Sequence, residues 1–336
     1  VFCRIFSTMI NAGLPLIQCL DLLAQQEQNK AFAKIIRSIK EDIEGGTSLT
    51  DALKKYPKVF DDLFVNLIAA GEAGGILDVI LQRLSSYLEK AMKLKARVKS
   101  AMTYPIAVLV ISFAVVALLL IKVIPVFKKM FEGMGGQLPG PTQMLITASE
   151  FAQSYWWIIL ALIIGAVFAF NRFYATKKGR WAIDSAILKA PVFGPLLKKV
   201  AVAKFSRTMA TMMSSGVPIL EGLSIVSRTS GNVVVEDALL KTRQSISEGR
   251  SIAEPLSETK IFPPMVVQMI SVGEATGALD SMLNKVADFY DDEVDAAVEA
   301  MTSLLEPVMM VFLGGIVGGM IIAMYLPIFK MASVVG

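Results

Sequence analysis

Most of what could do chemistry in this chain sits in two octets. GEAGGILD at 71–78 returns as GEATGALD at 273–280, 202 residues further on. Each sets a glutamate and an aspartate among glycines, Glu72 with Asp78 and Glu274 with Asp280. Exposed carboxylates in a conformationally special stretch are candidates for a partner or subunit contact, or for holding an ion. A purely structural use competes with this. Gly71 and Gly74 or Gly75 can end one helix and turn the chain, which leaves Asp78 in the first turn of the next. There a carboxylate complements the helix dipole by about 0.3–1 kcal/mol. That account covers the glycines and the aspartates but gives no reason for glutamate, so a joint and a contact both stay open.

Little else in the sequence suggests catalysis. The chain has no histidine, which removes the commonest general base and the commonest metal ligand. It has no GxxxxGK[ST] phosphate loop and so no evident ATPase of its own. Serine–lysine catalysis is allowed by composition, but nothing marks one pair over another. Cys3 and Cys19 lack the close pairing of a zinc site and fit packing better. No catalytic, cofactor-binding or metal residue is assigned, no cofactor is expected, and the protein is not read as an enzyme.

Composition places these octets in a membrane protein. Of 336 residues 54% are hydrophobic and 18% charged, and mean hydropathy is +0.58, whereas an ordinary soluble domain carries about 25% charge. The net charge of +4 comes from basic residues clustered beside apolar runs, so no nucleic acid is expected as a partner. Nineteen apolar residues between Pro105 and Pro125 carry only Ser112 and Lys122 as polar breaks, and this matches the roughly 20 needed to cross hydrocarbon. A second run, Ala152 to Phe170, opens with the aromatic belt Tyr155, Trp156, Trp157. A third spans the 19 residues between Pro307 and Pro327. Lys90, Lys93, Lys95, Arg97 and Lys99 precede the first span, and Arg172, Lys177, Lys178 and Arg180 follow the second. Positive charge stays inside. The organisation expected is a cytoplasmic domain at 1–104, a membrane helix at 105–126 and an external loop at 127–151. A second membrane helix at 152–171, a second cytoplasmic domain at 172–303, a third membrane helix at 304–328 and a short external tail at 329–336 complete it. The third span fits the charge rule least well, being preceded by acids and followed by Lys330.

An internal repeat orders all of this. FCRIFSTMINAGLPL at 2–16 aligns with FSRTMATMMSSGVPI at 205–219, pairing Gly13 with Gly216 and Pro15 with Pro218. GTSLTDAL at 46–53 aligns with GRSIAEPL at 249–256, and the register then holds through the octets, with Gly75 opposite Gly277, to the bounding prolines. Each unit is a cytoplasmic part feeding one membrane helix. Gly13 with Pro15 ends a first helix, and a second is read as running to about Glu44. Ser251 with Glu254 reads as a capping box, and Ser48 with Asp51 as a close variant of one. Leu77, Ile80, Leu81, Leu84, Tyr87 and Leu88 form a helical core stripe, matched by Leu279, Met282, Leu283, Val286, Phe289 and Tyr290. The fold class is therefore all-α, with two homologous cytoplasmic helical bundles and three transmembrane helices. Gly314, Gly315, Gly318 and Gly319 put two overlapping GxxxG registers in the third span, for packing against the chain's own spans or against another subunit. The acidic run Asp291–Asp295 reads as a solvated face or as a docking surface for a basic partner.

Two copies of a helical domain, each with an AGLPL/SGVPI turn, a GxS element and a GEAGGILD/GEATGALD octet, resemble the type II secretion F family. This family comprises inner-membrane platform proteins of type IV pili and type II secretion systems. The resemblance covers essentially the whole chain and rests on Gly13, Pro15, Glu72, Gly75, Leu77 and Asp78, with Gly216, Pro218, Glu274, Gly277, Leu279 and Asp280. It implies a non-enzymatic, homo-oligomeric platform in the bacterial inner membrane. It also implies, as partners, a cytoplasmic hexameric ATPase, pilin or pseudopilin, and other inner-membrane assembly proteins. The family usually carries an N-terminal extension, so a trimmed chain is expected. A small-molecule transporter or permease subunit is the alternative; an odd number of spans with no broken helix at mid-membrane argues against it.

Overall fold

The computed structural model describes residues 1–132, 139–191 and 193–335. No strand occurs among them. Two compact units result, one of Val1–Ala96 with Trp181–Asp295, the other of Arg97–Arg180 with Ala296–Gly336.

The first unit holds the part of each copy that precedes its apolar stretch. Copy one runs α1 (Phe2–Asn11), α2 (Leu16–Gln26), α3 (Lys30–Glu44), α4 (Leu49–Lys54), α5 (Asp62–Gly74) and the start of α6 (Leu77–Leu118). Where the sequence suggests one helix to Glu44, there are two. Asn29 accepts from the backbone N–H of Ala31 and Phe32 and so starts α3 afresh. Downstream lie α7 (Ile124–Glu132), α8 (Gly140–Tyr174) and α9 (Lys177–Lys189). Copy two then repeats the order with α10 (Phe193–Ser214), α11 (Ile219–Thr229), α12 (Val233–Ser247), α13 (Ala253–Glu258), α14 (Pro264–Thr276) and α15 (Leu279–Val335). Gly13 and Gly216 take φ of +82° and +79°, and Pro15 and Pro218 cap the helices that follow them.

Burial follows the expected stripe in copy one: Ile80, Leu81, Leu84 and Tyr87 are buried, with Leu77 and Leu88 packed beside them. In copy two Leu279, Leu283, Val286 and Tyr290 are buried, but Phe289 turns outward. Met212, Val217 and Ile225 of copy two join the core of copy one, so the copies share apolar interior. Polar contacts line the same seam. The Tyr87 hydroxyl and Thr208 Oγ1 lie 3.1 Å apart, Arg83 donates to the Ser214 carbonyl, and Lys90 reaches Asp288 at 3.0 Å.

In the second unit the apolar runs are longer helices than the prolines suggest. α6 continues through Pro105, and α15 through Pro307 and Pro327. Before Pro125 the chain takes π-helical turns over Leu119–Val123. Proline cannot donate to the carbonyl four residues back and collides with it, so a wider turn just upstream is the relief. Ser149 of α8 donates to the Leu120 carbonyl in that segment, and Thr142 donates to the Ala323 carbonyl at 2.5 Å. Ile124, Ile146 and Met320 form a small core there. The helices Leu77–Met130 and Leu279–Phe329 are long and apolar enough to cross a membrane. The pair Gly140–Ile158 and Leu160–Tyr174, bent by 54°, makes a third crossing if counted as one span. Of the expected external loop, 133–138 lie outside the described residues, as does Gly336 of the expected tail.

A shared core predicts that the copies unfold together. Met212→Ala should lower stability by about 2–5 kcal/mol, as for other buried methionines. Proteolysis at sites in copy one and at sites in copy two should report one common transition; two separated transitions would show the copies to be independent.

Candidate functional site

Each octet begins inside a helix, not after one. Gly71 is a buried residue of α5, and a Cβ there would stand 2.8 Å from Ile80 Cγ1. At Gly273 in α14 it would stand 2.9 Å from the Leu279 Cα. Glycine at these positions lets the helix press against the one that follows. The turn itself is made by Gly75 and Gly277, at φ +66° and +70°, each a left-handed cap ending its helix. An L side chain is strained in that conformation. The Gly75 N–H returns to the Glu72 carbonyl, and the Ile76 N–H to that of Gly71 at 2.9 Å. Gly74 has no such duty: its Cβ would meet Ile76 at an ordinary 3.4 Å, and copy two has Thr276 there.

The glutamates have a partner that periodicity does not reveal. Glu72 accepts from the Leu49 N–H at 2.9 Å, the Thr50 N–H at 3.1 Å and the Thr50 hydroxyl at 2.6 Å. These are the first groups of α4, whose N-terminal amides have no partner within their own helix. Ser48 takes the next amide, Asp51 N–H, at 3.0 Å. The capping box is thus divided. Serine closes one amide, the octet glutamate closes two, and Asp51 turns to Lys54 at 3.1 Å. Copy two repeats the device. Glu274 accepts from the Ile252 N–H with both oxygens at 3.1 and 3.0 Å, and Ser251 accepts from Glu254 N–H. Ala253 stands where Thr50 stands, so the hydroxyl bond is missing. Burial pushes the Glu72 carboxyl up, but the Thr50 hydroxyl and the two amides outweigh it and hold it below the ordinary 4.5.

Asp78 and Asp280 lie in the first turns of α6 and α15, Asp78 exposed and Asp280 half-buried. The structure therefore brings each Glu–Asp pair to one joint but gives the members different surroundings. Asp291 and Glu293 of the acidic run are engaged by Arg207 and Lys199, both at 2.7 Å. In the third span, a Cβ added at Gly314, Gly315, Gly318 or Gly319 meets nothing within 4 Å. Their neighbours Ile316, Met320 and Met324 face the small core instead.

The chain matches the family model described as Type II secretion system (T2SS), protein F over residues 2–125 and again over 205–327. The two matched stretches follow the internal repeat. The chain is 58% identical to the type IV pilus assembly protein PilC of Myxococcus xanthus over 335 residues, covering 100% of this chain and 80% of that one. It is 44% identical to the PilC of Thermus thermophilus over 331 residues, 98% of this chain and 81% of the relative. With the type II secretion system protein F of Vibrio cholerae it shares 33% over 331 residues, again 98% and 81%.

The glycines can be told apart by substitution. Gly273→Ala, which sets a methyl group against backbone, should cost about 1–3 kcal/mol. Gly74→Ala should be neutral or stabilise by about 0.5–1 kcal/mol, as expected in an open helical position. Unfolding midpoints in detergent check both; equal effects would contradict the close-approach reading.

Proposed function

Because this chain belongs to the type II secretion system protein F family, we propose that it is an inner-membrane platform that couples a cytoplasmic assembly ATPase to the entry of pilin-like subunits into a fibre. The observation that carries this is the duplicated match, 2–125 and 205–327, with both octets intact. Type IV pilus assembly is favoured over enzyme secretion, since identity is 58% to a pilus assembly protein and 33% to a secretion protein F.

In this reading the unit carrying both octets is cytoplasmic and the apolar helices cross the inner membrane. A scaffold of this kind needs no catalytic group. It needs rigid helical bodies that a motor can grip and membrane helices that other subunits can pack against. Asp78 and Asp280 are the carboxylates offered to the ATPase, because Glu72 and Glu274 already serve α4 and α13. The open glycine face of α15 is a membrane contact for another subunit, since small residues let helix backbones approach.

Capture of a cognate pilus assembly ATPase by the purified full chain tests this. Asp78→Lys with Asp280→Lys should weaken capture about tenfold, the cost of placing like charge at a basic contact, while lowering stability only by the roughly 0.3–1 kcal/mol per site that a first-turn carboxylate contributes. Undiminished capture by the double variant would remove these residues from the contact.

A further inference from the structure

The seam between the two copies is one-sided. Copy one presents α6 to copy two, through Arg83 and Tyr87 to α10 and through Lys90 to Asp288 at the start of α15. A seam of this head-to-tail kind leaves two equivalent surfaces uncovered: the α6-like face of copy two, on α15, and the α10-like face of copy one, on α1 and α2. Burial bears this out position by position. Tyr87 and Thr208 are buried, whereas their counterparts Phe289 and Ile5 are 46% and 36% exposed. Ser215 and Val217 are buried where Ala12 is exposed and Leu14 only partly covered.

The uncovered faces have changed together. Within the chain the pair is Tyr87 with Thr208, hydroxyl to hydroxyl. At the uncovered positions it becomes Phe289 and Ile5, both apolar. The charges change in concert too. Arg207 holds two carboxylates, Asp288 and Asp291, at 2.7 Å each, with Lys90 bridging in to Asp288. Its counterpart Arg4 holds only Glu89, the match of Asp291, because Ser86 replaces Asp288. Where Lys90 stands in copy one, copy two has Asp292, which is exposed and makes no ion pair among the described residues. The acid that Arg4 lacks is thus supplied by the residue that a docked α15 would carry to it.

We infer that the exposed α15 face around Phe289 and Asp292 binds the α1 face around Ile5 and Arg4 of a second copy of this chain, repeating between chains the seam made within one. The partner's contribution differs from the intrachain seam in two complementary substitutions: an apolar pair replaces a hydroxyl pair, and an acid–arginine contact replaces the lysine–aspartate one. Different patches meet, so the contact is heterologous and each chain has one donor and one acceptor face. It can therefore close a ring or extend an array in the membrane plane. This deepens the platform reading, and rests on it only in taking copies of the chain to meet.

Cysteine crosslinking in native membranes tests the contact without any ATPase, so its failure and that of the platform reading are separate. The native thiols are buried, and burial pushes Cys3 up to about 12, so they should stay unlabelled by maleimide. Chains bearing Ile5→Cys, co-expressed with chains bearing Phe289→Cys, should be joined by a short bis-maleimide, while either variant alone should not. Arg4→Asp should weaken association of the purified full chain about tenfold, the loss of one charge-assisted contact. Adding Asp292→Arg to the same chain should restore it. Crosslinks formed equally by either variant alone would indicate an isologous face and overturn the inference. So would a monomer, or an oligomer indifferent to both the charge reversal and Phe289→Asp.

Discussion

An ionised carboxylate set over the open end of a short helix holds each repeat together. α4 has six residues, too few to sustain a helix in water unaided, and its first amides need acceptors. Glu72 supplies them from 22 and 23 positions along the chain. The requirement propagates. To present Glu72 there, α5 must be placed closely against α6, which demands glycine at 71. The chain must then reverse at once, which demands a left-handed residue at 75. One clasp therefore explains why the octet is written as it is, and why it appears twice.

Duplication of this body produced two bundles with the same scaffold and different neighbours. The residues that hold each bundle internally are kept in both copies: Asn29 and Asn232 start matching helices, Ser48 and Ser251 cap, Arg4 and Arg207 bind Glu89 and Asp291. The copies also diverge at the surfaces that meet, or do not meet, one another. Tyr87 against Phe289 and Lys90 against Asp292 are substitutions at matched positions with opposite exposure or charge. Stiff bodies with dissimilar faces suit the platform role proposed above.

Much of the fold is legible in the sequence because its causes are local. Apolar length gives the long helices, the repeat gives two bundles, and Gly13, Gly75 and their matches mark the turns. What is not legible depends on distance in the chain. The purpose of Glu72 could not be read from a turn, because its partners are the amides of residues 49 and 50. The break before α3 has neither glycine nor proline, although Asn29 and Asn232 at matching positions were a usable signal. Periodicity placed Phe289 on a core stripe; it cannot distinguish a side chain facing its own bundle from one facing outward. The prolines read as ends of spans are in fact interior to helices, since a bilayer-length helix tolerates proline where neighbouring groups satisfy the freed carbonyls.

The clasp is tested most directly by the pH dependence of stability in Glu72→Ala, with Glu274→Ala alongside. A carboxyl held below its ordinary 4.5 in the folded chain contributes stability that is complete above 4.5 and lost as pH falls from there through the depressed value. Near pH 7, Glu72→Ala should therefore unfold more readily than the parent by about 1–2 kcal/mol, the usual cost of a lost helix cap at a partly exposed site. Glu274→Ala, which gives up one amide rather than two amides and a hydroxyl, should cost less. The gap between Glu72→Ala and parent should narrow as acid is added below pH 4.5. A Glu72→Ala chain as stable as the parent at neutral pH, or a gap that is constant with pH, would contradict the account.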